Sequence, residues 1–461
     1  MGSFWKSGES TAGMADARCA DSAGEPELRL TVHFVDGDSG EFQIPACGGG
    51  RDGIPFYWNI SWGDGAGECV SGVSSYEGGE VFAGNLMHQY AAPGRYEIIL
   101  APARASGETA GNTPGWLQAF GYPSSWVFSM GEDVLFPKGG DKLVGVDGVL
   151  DDRAINVELE GACAEMFAGC ENITMGSNFT ISSHKERAGD FFCLKMFSGC
   201  RGDAFDMGKS FQLPRSFRSV GKAFCCRMFE YCAGASFTMN DAFTIPQKIT
   251  SAGSFFCQQM FGGHGPRLTM GKAFNLPQGL VEAEDEFCAH MFSCPLGCDE
   301  CCFEMNEVFN IPQRISGYVG EGFCRGMFTD NRSPSFSMNE RFNIPPRITS
   351  AGDAFCSCMF SGCSGENFSM NDIFNLPQGL GNVGANCCAS MFWTCDGKRF
   401  KVNEEFKFPM NAIGVPPLAF GMFSECRWEA LNWNIQDNVL CNPDFAIWSS
   451  PVNKESHGDT K

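Results

Sequence analysis

The sequence has no run of about 18 consecutive apolar residues, which is the length a helix needs to cross a bilayer. We therefore expect no membrane-spanning segment. Basic residues are also scarce: 33 Lys and Arg stand against 54 Asp and Glu, which gives a formal net charge of −21. Because nucleic acids and anionic membrane surfaces are bound mainly through Lys and Arg, this balance speaks against both as partners.

The sequence also lacks the residue patterns of common catalytic sites. Its six histidines show no spacing with Ser, Cys or carboxylates that is typical of a triad or dyad. Gly208-Lys209-Ser210 resembles the end of a phosphate-binding loop, but Asp203 stands where that loop needs its first glycine. We therefore predict that the protein is not an enzyme and has no cofactor. The first residues, Met1 to Gly8, lack the apolar core of a secretion signal, so we expect no signal peptide in this sequence.

Phe, Cys and Met are abundant, and they recur at a fixed period. Nine Met-Phe pairs follow one another at intervals of 30 to 36 residues: Met166-Phe167, Met196-Phe197, Met228-Phe229, Met260-Phe261, Met291-Phe292, Met327-Phe328, Met359-Phe360, Met391-Phe392 and Met422-Phe423. A period of this kind predicts a solenoid of about nine units, each of ~32 residues, in which every unit buries its apolar face against its neighbours.

Positions within a repeat are numbered here from its Met, which is position 0. Phe at −4, Cys at −3, Met at 0, Phe at +1 and Cys at +4 are spaced by three, four and seven residues, which predicts a short helix. Phe at +9 and Met at +11 alternate, which predicts a strand. Position +12 is usually Asn or Gly, and this predicts a left-handed corner at Asn240, Asn306, Asn339, Asn371, Asn403, Gly208 and Gly271.

Residues 28–102 show a different pattern, an alternation of apolar and polar residues that predicts several short strands. The predicted fold class is therefore an α+β repeat solenoid preceded by a small all-β sandwich. The predicted segments are a disordered start (1–27), the sandwich (28–102), a linker with a degenerate first repeat (103–150), the solenoid (151–426), a C-terminal cap (427–448) and a disordered tail (449–461).

Two resemblances to known families accompany these patterns. Ile60-Ser61-Trp62-Gly63-Asp64-Gly65, then His88-Gln89-Tyr90, then Pro93-Gly94-Arg95-Tyr96, resemble the frame of polycystic-kidney-disease-type β-sandwich domains. The repeat, as in Ile245-Pro246-Gln247-Lys248-Ile249-Thr250-Ser251-Ala252-Gly253, resembles the leucine-rich repeats of BspA-like bacterial surface proteins and the Met-Phe repeats of mycoplasmal lipoproteins. The second resemblance implies a cell-surface or extracellular location and a role in binding other proteins.

The 25 cysteines fall mostly into two columns, eight at −3 and six at +4. On a helix the two columns of one repeat lie about 10.5 Å apart, which is too far for a disulfide, so we expect buried free thiols in both columns. Outside the columns, the longest repeat carries a cluster whose spacing is compatible with a zinc site, a disulfide knot or neither: His290, Cys294, Cys298, Cys301 and Cys302.

Two functional hypotheses remain. The first is a non-catalytic adhesion or binding protein that recognises a protein or an extracellular polymer with one face of the solenoid; Arg201-Gly202-Asp203 is a candidate integrin-type motif within it. The second is an intracellular cysteine-rich protein that binds metal or acts through thiols. The residues that define the structural repeat are Met196, Phe197, Met228, Phe229, Met260, Phe261, Met359, Phe360, Asn240, Asn339 and Asn371.

Overall fold

The computed structural model describes residues 27–44, 55–73, 87–102, 140–152, 155–158, 160–202, 204–232, 234–264, 267–294, 302–409, 412–414 and 418–432. All but the last residue of the predicted start (1–27), most of 103–150 and everything after residue 432 therefore lie outside the described residues. The same is true of Asp203, Cys298 and Cys301. In the described ranges, no helix is long and apolar enough to cross a membrane.

The described residues of the N-terminal part form seven strands and one short 3-10 helix. They are β1 (Leu28–Phe34), β2 (Glu41–Gln43), β3 (Pro55–Ser61), β4 (Gly67–Val73), β5 (Met87–Gln89), β6 (Gly94–Pro102), the 3-10 helix Gly140–Lys142 and β7 (Leu143–Leu150). Alternation in β1 matches the prediction, since Leu28, Leu30, Val32 and Phe34 are all buried. β1 pairs antiparallel with β6, and β2 pairs with β5.

The residues that carry the first resemblance meet in one aromatic cluster. The Trp62 ring stacks on the His88 ring with centroids 4.7 Å apart, and the Tyr90 hydroxyl donates to the Trp62 carbonyl oxygen at 2.8 Å. His88 Nε2 lies 2.7 Å from Asp64 Oδ2. These contacts explain why the motif is spread over three segments of sequence, while membership of a polycystic-kidney-disease-type family stays a prediction.

β7 joins this sheet to the repeats. On one side it pairs antiparallel with β1, and on the other it pairs parallel with β8 (Thr174–Met175) and β9 (Thr180–Ile181). The strand order of the sheet is β4-β3-β6-β1-β7-β8, with β9 also on β7. Residues 143–150 were predicted to belong to the linker and degenerate first repeat. They form β7 instead, and this strand pairs with the first coil of the solenoid.

Two rows of short parallel strands run along the solenoid. The first row comprises β10 (Arg187–Ala188), β12 (Ser219–Val220) and β14 (Ser251–Ala252), followed by β17 (Ser316–Val319), β18 (Arg347–Ala351), β19 (Asn382–Val383) and β20 (Ile413–Gly414). The second row comprises β11 (Ala204–Asp206), β13 (Ser236–Thr238), β15 (Arg267–Thr269) and β16 (Cys302–Glu304). Equivalent residues pair between coils, for example Phe205 with Phe237, so the predicted strand near position +9 is confirmed in these coils. A second 3-10 helix, Trp428–Ala430, follows the last coil.

The predicted helix around each Met-Phe pair is wrong, and with it the α part of the predicted fold class. The described residues contain no α-helix, and this segment is a succession of tight turns in every coil. The N–H of Met196 donates to the Cys193 carbonyl in the same coil, at 3.2 Å. Its neighbour Phe197 donates instead to Met228 in the next coil, at 2.8 Å. Alternate N–H groups therefore donate within the coil and to the next coil. An α-helix cannot have this pattern, because all its backbone hydrogen bonds are made within the helix itself.

Backbone conformation in this turn segment is unusual. Twenty residues other than glycine have positive φ in the described structure, and all lie in these segments, at values of 50° to 64°. In Lys195, for example, φ is 50° at the third residue of the turn closed by Met196 and Cys193, as in a type II turn. Each such residue costs about 1 kcal/mol or more. The hydrogen bonds between coils, which use the freed N–H groups, offset that cost.

The turn segment imitates a helix in sequence because side chains point inward in pairs. In the coil of Met228, positions −4, −3, 0, +1 and +4 are all fully buried, whereas Arg227 and Tyr231 at −1 and +3 face outward. The residues between the inward pairs do not join the phenylalanine core: Arg227 is partly exposed, and Cys226 is buried in a separate small cluster. Two core residues in every four produce the same spacing of three, four and seven as one face of a helix. Hydrophobic spacing alone therefore could not separate the two structures.

The core is built from columns of stacked phenylalanine rings. At position +1, nine rings from Phe167 to Phe423 stack with centroids 5.2 to 5.7 Å apart. A second column, from Phe179 to Phe406, meets the first edge to face, as Phe211 does with Phe197 at 6.0 Å. Both geometries are favourable for aromatic pairs. Met196, Met228, Met260 and Met359 are fully buried beside these columns.

The two cysteine columns are buried and free, as predicted. At position +4 five of the six thiols also donate to a main-chain carbonyl of the preceding coil: Cys363 Sγ, for example, donates to the Phe328 carbonyl oxygen at 3.1 Å. The prediction of a left-handed corner at +12 is wrong for asparagine, since among the seven residues proposed only Gly208 has positive φ. Asparagine serves there because its amide can bond two coils at once.

Candidate functional site

The first strand row is interrupted in the coil that contains residues 281–285. Between β14 and β17 this coil contributes only an isolated bridge from Ala283 to Val319. Where two other repeats have Ile-Thr-Ser-Ala-Gly, at Ile249–Gly253 and Ile348–Gly352, this one has Leu280-Val281-Glu282-Ala283-Glu284, followed by Asp285. Consecutive carboxylates are poor strand formers and repel one another. The sequence thus breaks the row at one coil.

A groove of about 520 Å³ opens at this interruption. We call it the acidic groove and define it by the residues that line it with polar groups or an aromatic ring: Ser254, Glu282, Glu284, Asp285, Ser316 and Tyr318. A bulge between Gly317 and Tyr318 turns the tyrosine outward, and its side chain is 62% exposed. The groove therefore presents three carboxylates and one ring to solvent.

The three carboxylates differ in their contacts. Glu284 Oε2 accepts a hydrogen bond from Ser254 Oγ at 2.8 Å, and Asp285 Oδ1 accepts one from the Glu321 N–H at 2.9 Å. Glu282 makes no ion pair or side-chain hydrogen bond within the described part of the chain. Two carboxylates are thus held in place and the third is available. An ammonium or guanidinium group fits this arrangement, since it can bond the carboxylates while stacking on the ring.

The structure does not bring the predicted metal ligands together as a set. His290 lies at position −1 on the turn segment, where burial, together with Arg325 and Arg227, lowers the pKa of its imidazole to about 4. Cys294 instead contacts a histidine that was not among the predicted ligands, with its Sγ 3.5 Å from His264 Nε2. Within the described ranges, no group of three or more His, Cys, Asp or Glu side chains could hold a metal ion. Cys298, Cys301 and the Cys302 side chain lie outside them, so the five-residue site stays a prediction.

The Arg-Gly-Asp motif lies at the turn that follows the Cys200 thiol. Arg201 is exposed, and its guanidinium carbon is 5.9 Å from the centre of the Tyr231 ring in the next coil. Gly202 is half-buried, and Asp203 lies outside the described residues. The arginine thus already has a weak intramolecular partner, and recognition by an integrin-type receptor stays a prediction.

Sequence reasoning missed the acidic groove and the contact between His264 and Cys294. A signal existed for each. In the groove the signal is the group of carboxylates Glu282, Glu284 and Asp285, at and beside the stretch where the repeats with Ile249–Gly253 and Ile348–Gly352 carry none. At His264 it is the replacement of a +4 cysteine, a change that the sequence alone explains equally well as structural.

Comparison with known proteins adds little to this geometry. No family model matches the sequence, and no curated protein does. Among solved structures the chain is similar to a leucine-rich repeat protein from Bacteroides ovatus, at 14% identity, over 63% of this chain and 85% of that one, with a TM-score of 0.20. So low a TM-score carries no argument about this chain, whose solenoid is defined by its own strand pairing and ring columns.

Proposed function

We propose that the protein is a non-catalytic binding protein of the cell surface or extracellular space, and that it recognises a positively charged segment of a protein or polymer. The observation that supports this most directly is the acidic groove, where Glu282 is unpaired within the described structure and Tyr318 is largely exposed. A solenoid offers an extended surface around such a groove. The net charge of −21 would attract a basic partner over a longer range.

Location outside the cytosol has two supports. The repeat resembles those of BspA-like surface proteins, and Cys69 in β4 is disulfide-bonded. Disulfides persist mainly in oxidising compartments. The free thiols of the solenoid are compatible with such a compartment because 17 of the 18 described ones are buried.

Binding of the full chain to a panel of extracellular-matrix proteins tests the proposal, with biolayer interferometry as the readout at two salt concentrations. We expect at least one basic partner to bind, and binding to weaken as salt rises. The variant Glu282→Gln/Glu284→Gln should lose about tenfold or more in affinity, which corresponds to about 1.4 kcal/mol. A matched control, Glu307→Gln/Glu340→Gln, removes two exposed carboxylates away from the groove and should bind like the wild type.

Failure of every panel member to bind would remove the support for adhesion. Equal losses in the groove variant and in its control would show that net charge, not the groove, determines binding. The alternative function, an intracellular thiol or metal protein, has one specific observation in its favour, the contact between Cys294 and His264.

A further inference from the structure

Five sites in the sequence have the form Asn-x-Ser/Thr with x not proline, which is the acceptor motif for asparagine-linked glycans. The motif is short and arises often by chance, so the exposure of the asparagine decides whether a folded protein can carry a glycan there. The structure describes all five acceptor asparagines, which are Asn59, Asn172, Asn178, Asn331 and Asn367.

Three of the five sites share one local structure. In each, the asparagine is the third residue of a four-residue turn, and the N–H of the residue after it closes that turn. The N–H groups of Ile173, Phe179 and Phe368 donate to carbonyl oxygens three residues earlier, at 3.2, 3.4 and 3.1 Å. The same turn is therefore repeated at Asn172, Asn178 and Asn367.

Side-chain direction alternates through these three sites. The middle residue enters the core, where Ile173 is 2% exposed and Phe179 and Phe368 are 0% exposed. The asparagine before it is exposed at every site, and the Thr or Ser after it is exposed or half-buried. Because side chains two residues apart in an extended segment point the same way, the asparagine and the hydroxyl share the outer face. The acceptor amides and their hydroxyl partners thus face solvent.

The other two sites are less accessible. Asn331 and Ser333 are both 0% exposed, whereas Arg332 between them is exposed, so this site has the opposite phase. A glycan on Asn331 would bring many hydroxyl groups into an apolar core without hydrogen-bond partners, which the fold cannot accommodate. Asn59 is half-buried in β3, which pairs with β4 on one side and β6 on the other.

The exposed amides can be modified without giving up their present contacts. Asn367 Nδ2 donates to the Pro334 carbonyl oxygen at 2.6 Å, and Asn178 Nδ2 donates to Asp147 Oδ2 at 3.3 Å. A side-chain amide has two N–H donors, and a glycosylated amide retains one of them. Each of these contacts needs only one donor.

We propose that Asn172, Asn178 and Asn367 carry asparagine-linked glycans when the protein is secreted. This inference rests on the extracellular location in the proposed function, and on a secretory pathway that supplies an oligosaccharide linked to a polyprenyl diphosphate. In the transfer, the asparagine Nδ2 forms a bond to C1 of the first sugar, and the bond from C1 to the diphosphate oxygen breaks. The amide nitrogen gives one proton to a base of the transferring enzyme, the lipid diphosphate leaves, and no atom is oxidised or reduced.

Glycans at these residues would leave the acidic groove open. Asn172 and Asn367 lie at positions +6 and +8, next to the segment that forms the second strand row, and Asn178 lies at +12. The groove lies at the first strand row, in the part of the repeat that precedes the turn segment. Glycosylation and binding at the groove are therefore separable.

The full chain, secreted from insect cells behind a cleavable signal peptide, tests the assignment. Peptide N-glycosidase in heavy-oxygen water converts each glycosylated asparagine to a labelled aspartate, and peptide mass spectrometry locates the labels. We expect label at Asn172, Asn178 and Asn367 and none at Asn331.

Variants that keep the asparagine test the motif itself. Thr174→Val, Thr180→Val and Ser369→Ala each remove the hydroxyl of one site, and each should lose one glycan. Thr238→Val is the matched control, because it removes an exposed hydroxyl from β13 outside any acceptor motif. It should keep all three glycans.

An asparagine of the three that stays unlabelled in the secreted protein overturns its own assignment. Label at Asn331, or the loss of a glycan in Thr238→Val, overturns the structural argument as a whole. Binding to the matrix panel is measured separately on the wild type and on the triple hydroxyl variant. Glycans without binding would contradict only the proposed function, and binding without glycans would contradict only this inference.

Discussion

The side-chain nitrogen Nδ2 of Asn371 lies 2.6 Å from the main-chain carbonyl oxygen of Asn339, the equivalent residue one coil earlier. It also donates to the Phe342 carbonyl at 2.9 Å, while Asn371 Oδ1 accepts from the N–H of Phe374 at 2.7 Å. Asn339 makes the same contacts with Asn306 and Phe309. One amide thus fastens each coil to the one before it, and the contacts recur from Asn306 to Asn432.

Asn371→Asp should therefore destabilise the protein. The carboxylate keeps the acceptor but loses both donor bonds and places a negative charge against two carbonyl oxygens. A loss of about 2–3 kcal/mol in the free energy of unfolding is expected, measured by urea denaturation at pH 7. Asn382→Asp introduces the same charge at an exposed residue of β19 and should change stability by less than about 0.5 kcal/mol. Equal effects of the two changes would show that the ladder contributes little.

Glycine at a position of positive φ should stabilise, which reverses its usual effect. Gln259 has φ of 50° and is only partly exposed, and glycine already occupies the equivalent position as Gly326 and Gly421. Gln259→Gly removes a strained side chain, and its gain of up to about 1 kcal/mol is reduced by the greater flexibility of the unfolded chain. We expect a melting temperature equal to or above that of the wild type.

Arg341→Gly serves as the comparison because Arg341 is exposed and its φ is not positive. There the entropic cost acts alone, and a loss of about 0.5–1 kcal/mol is expected. If Gln259→Gly were destabilised as much as Arg341→Gly, the left-handed turns would not be a source of strain.

The sequence allowed prediction of the periodic part of this fold. Met-Phe spacing located the coils, and the column analysis placed Cys193 and Cys363 in the core instead of in disulfides. The helix was predicted wrongly because the inward pairs of the turn segment share its spacing. Only the direction of the backbone hydrogen bonds, such as that from Phe197 to Met228, distinguishes the two.

The candidate sites were harder to predict for a different reason. Cys294 and His264 are 30 residues apart, so their contact depends on how consecutive coils align, which the irregular repeat makes uncertain. The acidic groove forms where one coil lacks a strand in the first row, and no sequence motif predicts a missing strand. Glu282 and Tyr318 belong to different coils, and both line the groove at the point where the row is broken between β14 and β17.

Stability should fall steeply above pH 9, because the buried thiols keep their protons longer than the unfolded chain does. Burial raises the pKa of Cys324 well above its ordinary value of 9.0. Above pH 9 the unfolded chain therefore binds fewer protons than the native one, and stability is lost as pH rises. Each such thiol contributes a slope of about 1.4 kcal/mol per pH unit. Urea denaturation between pH 8 and 10.5 measures this slope.

Cys324→Ala should reduce the slope by the contribution of one thiol. Met327→Ala truncates a fully buried side chain in the same coil without removing a titrating group. It should lower stability at every pH by about 2–5 kcal/mol and leave the slope unchanged. Identical slopes in both variants would mean that Cys324 does not stay protonated in the native state.

A buried carboxylate on the turn segment gives a second test of the same sign, at lower pH. Glu230 has a side chain that is 6% exposed and lies 3.8 Å from Arg227 Nε, and burial raises the pKa of its carboxyl above the ordinary value of 4.5, opposed by Arg227 and Lys195. Between pH 4.5 and the native pKa, the folded protein binds more protons than the unfolded chain. Its stabilising contribution is thus present below pH 4.5 and is lost as pH rises through that window.

Glu230→Gln removes this titration, so the variant should gain stability relative to the wild type as the pH is raised from 4.5 to 7. Thermal melting in a series of buffers across this range measures the difference. Glu366→Gln changes an exposed carboxylate paired with Lys398 and should show no such trend. If the melting temperature of Glu230→Gln instead fell relative to the wild type as pH rises, the ion pair with Arg227 would outweigh the cost of burying the carboxylate.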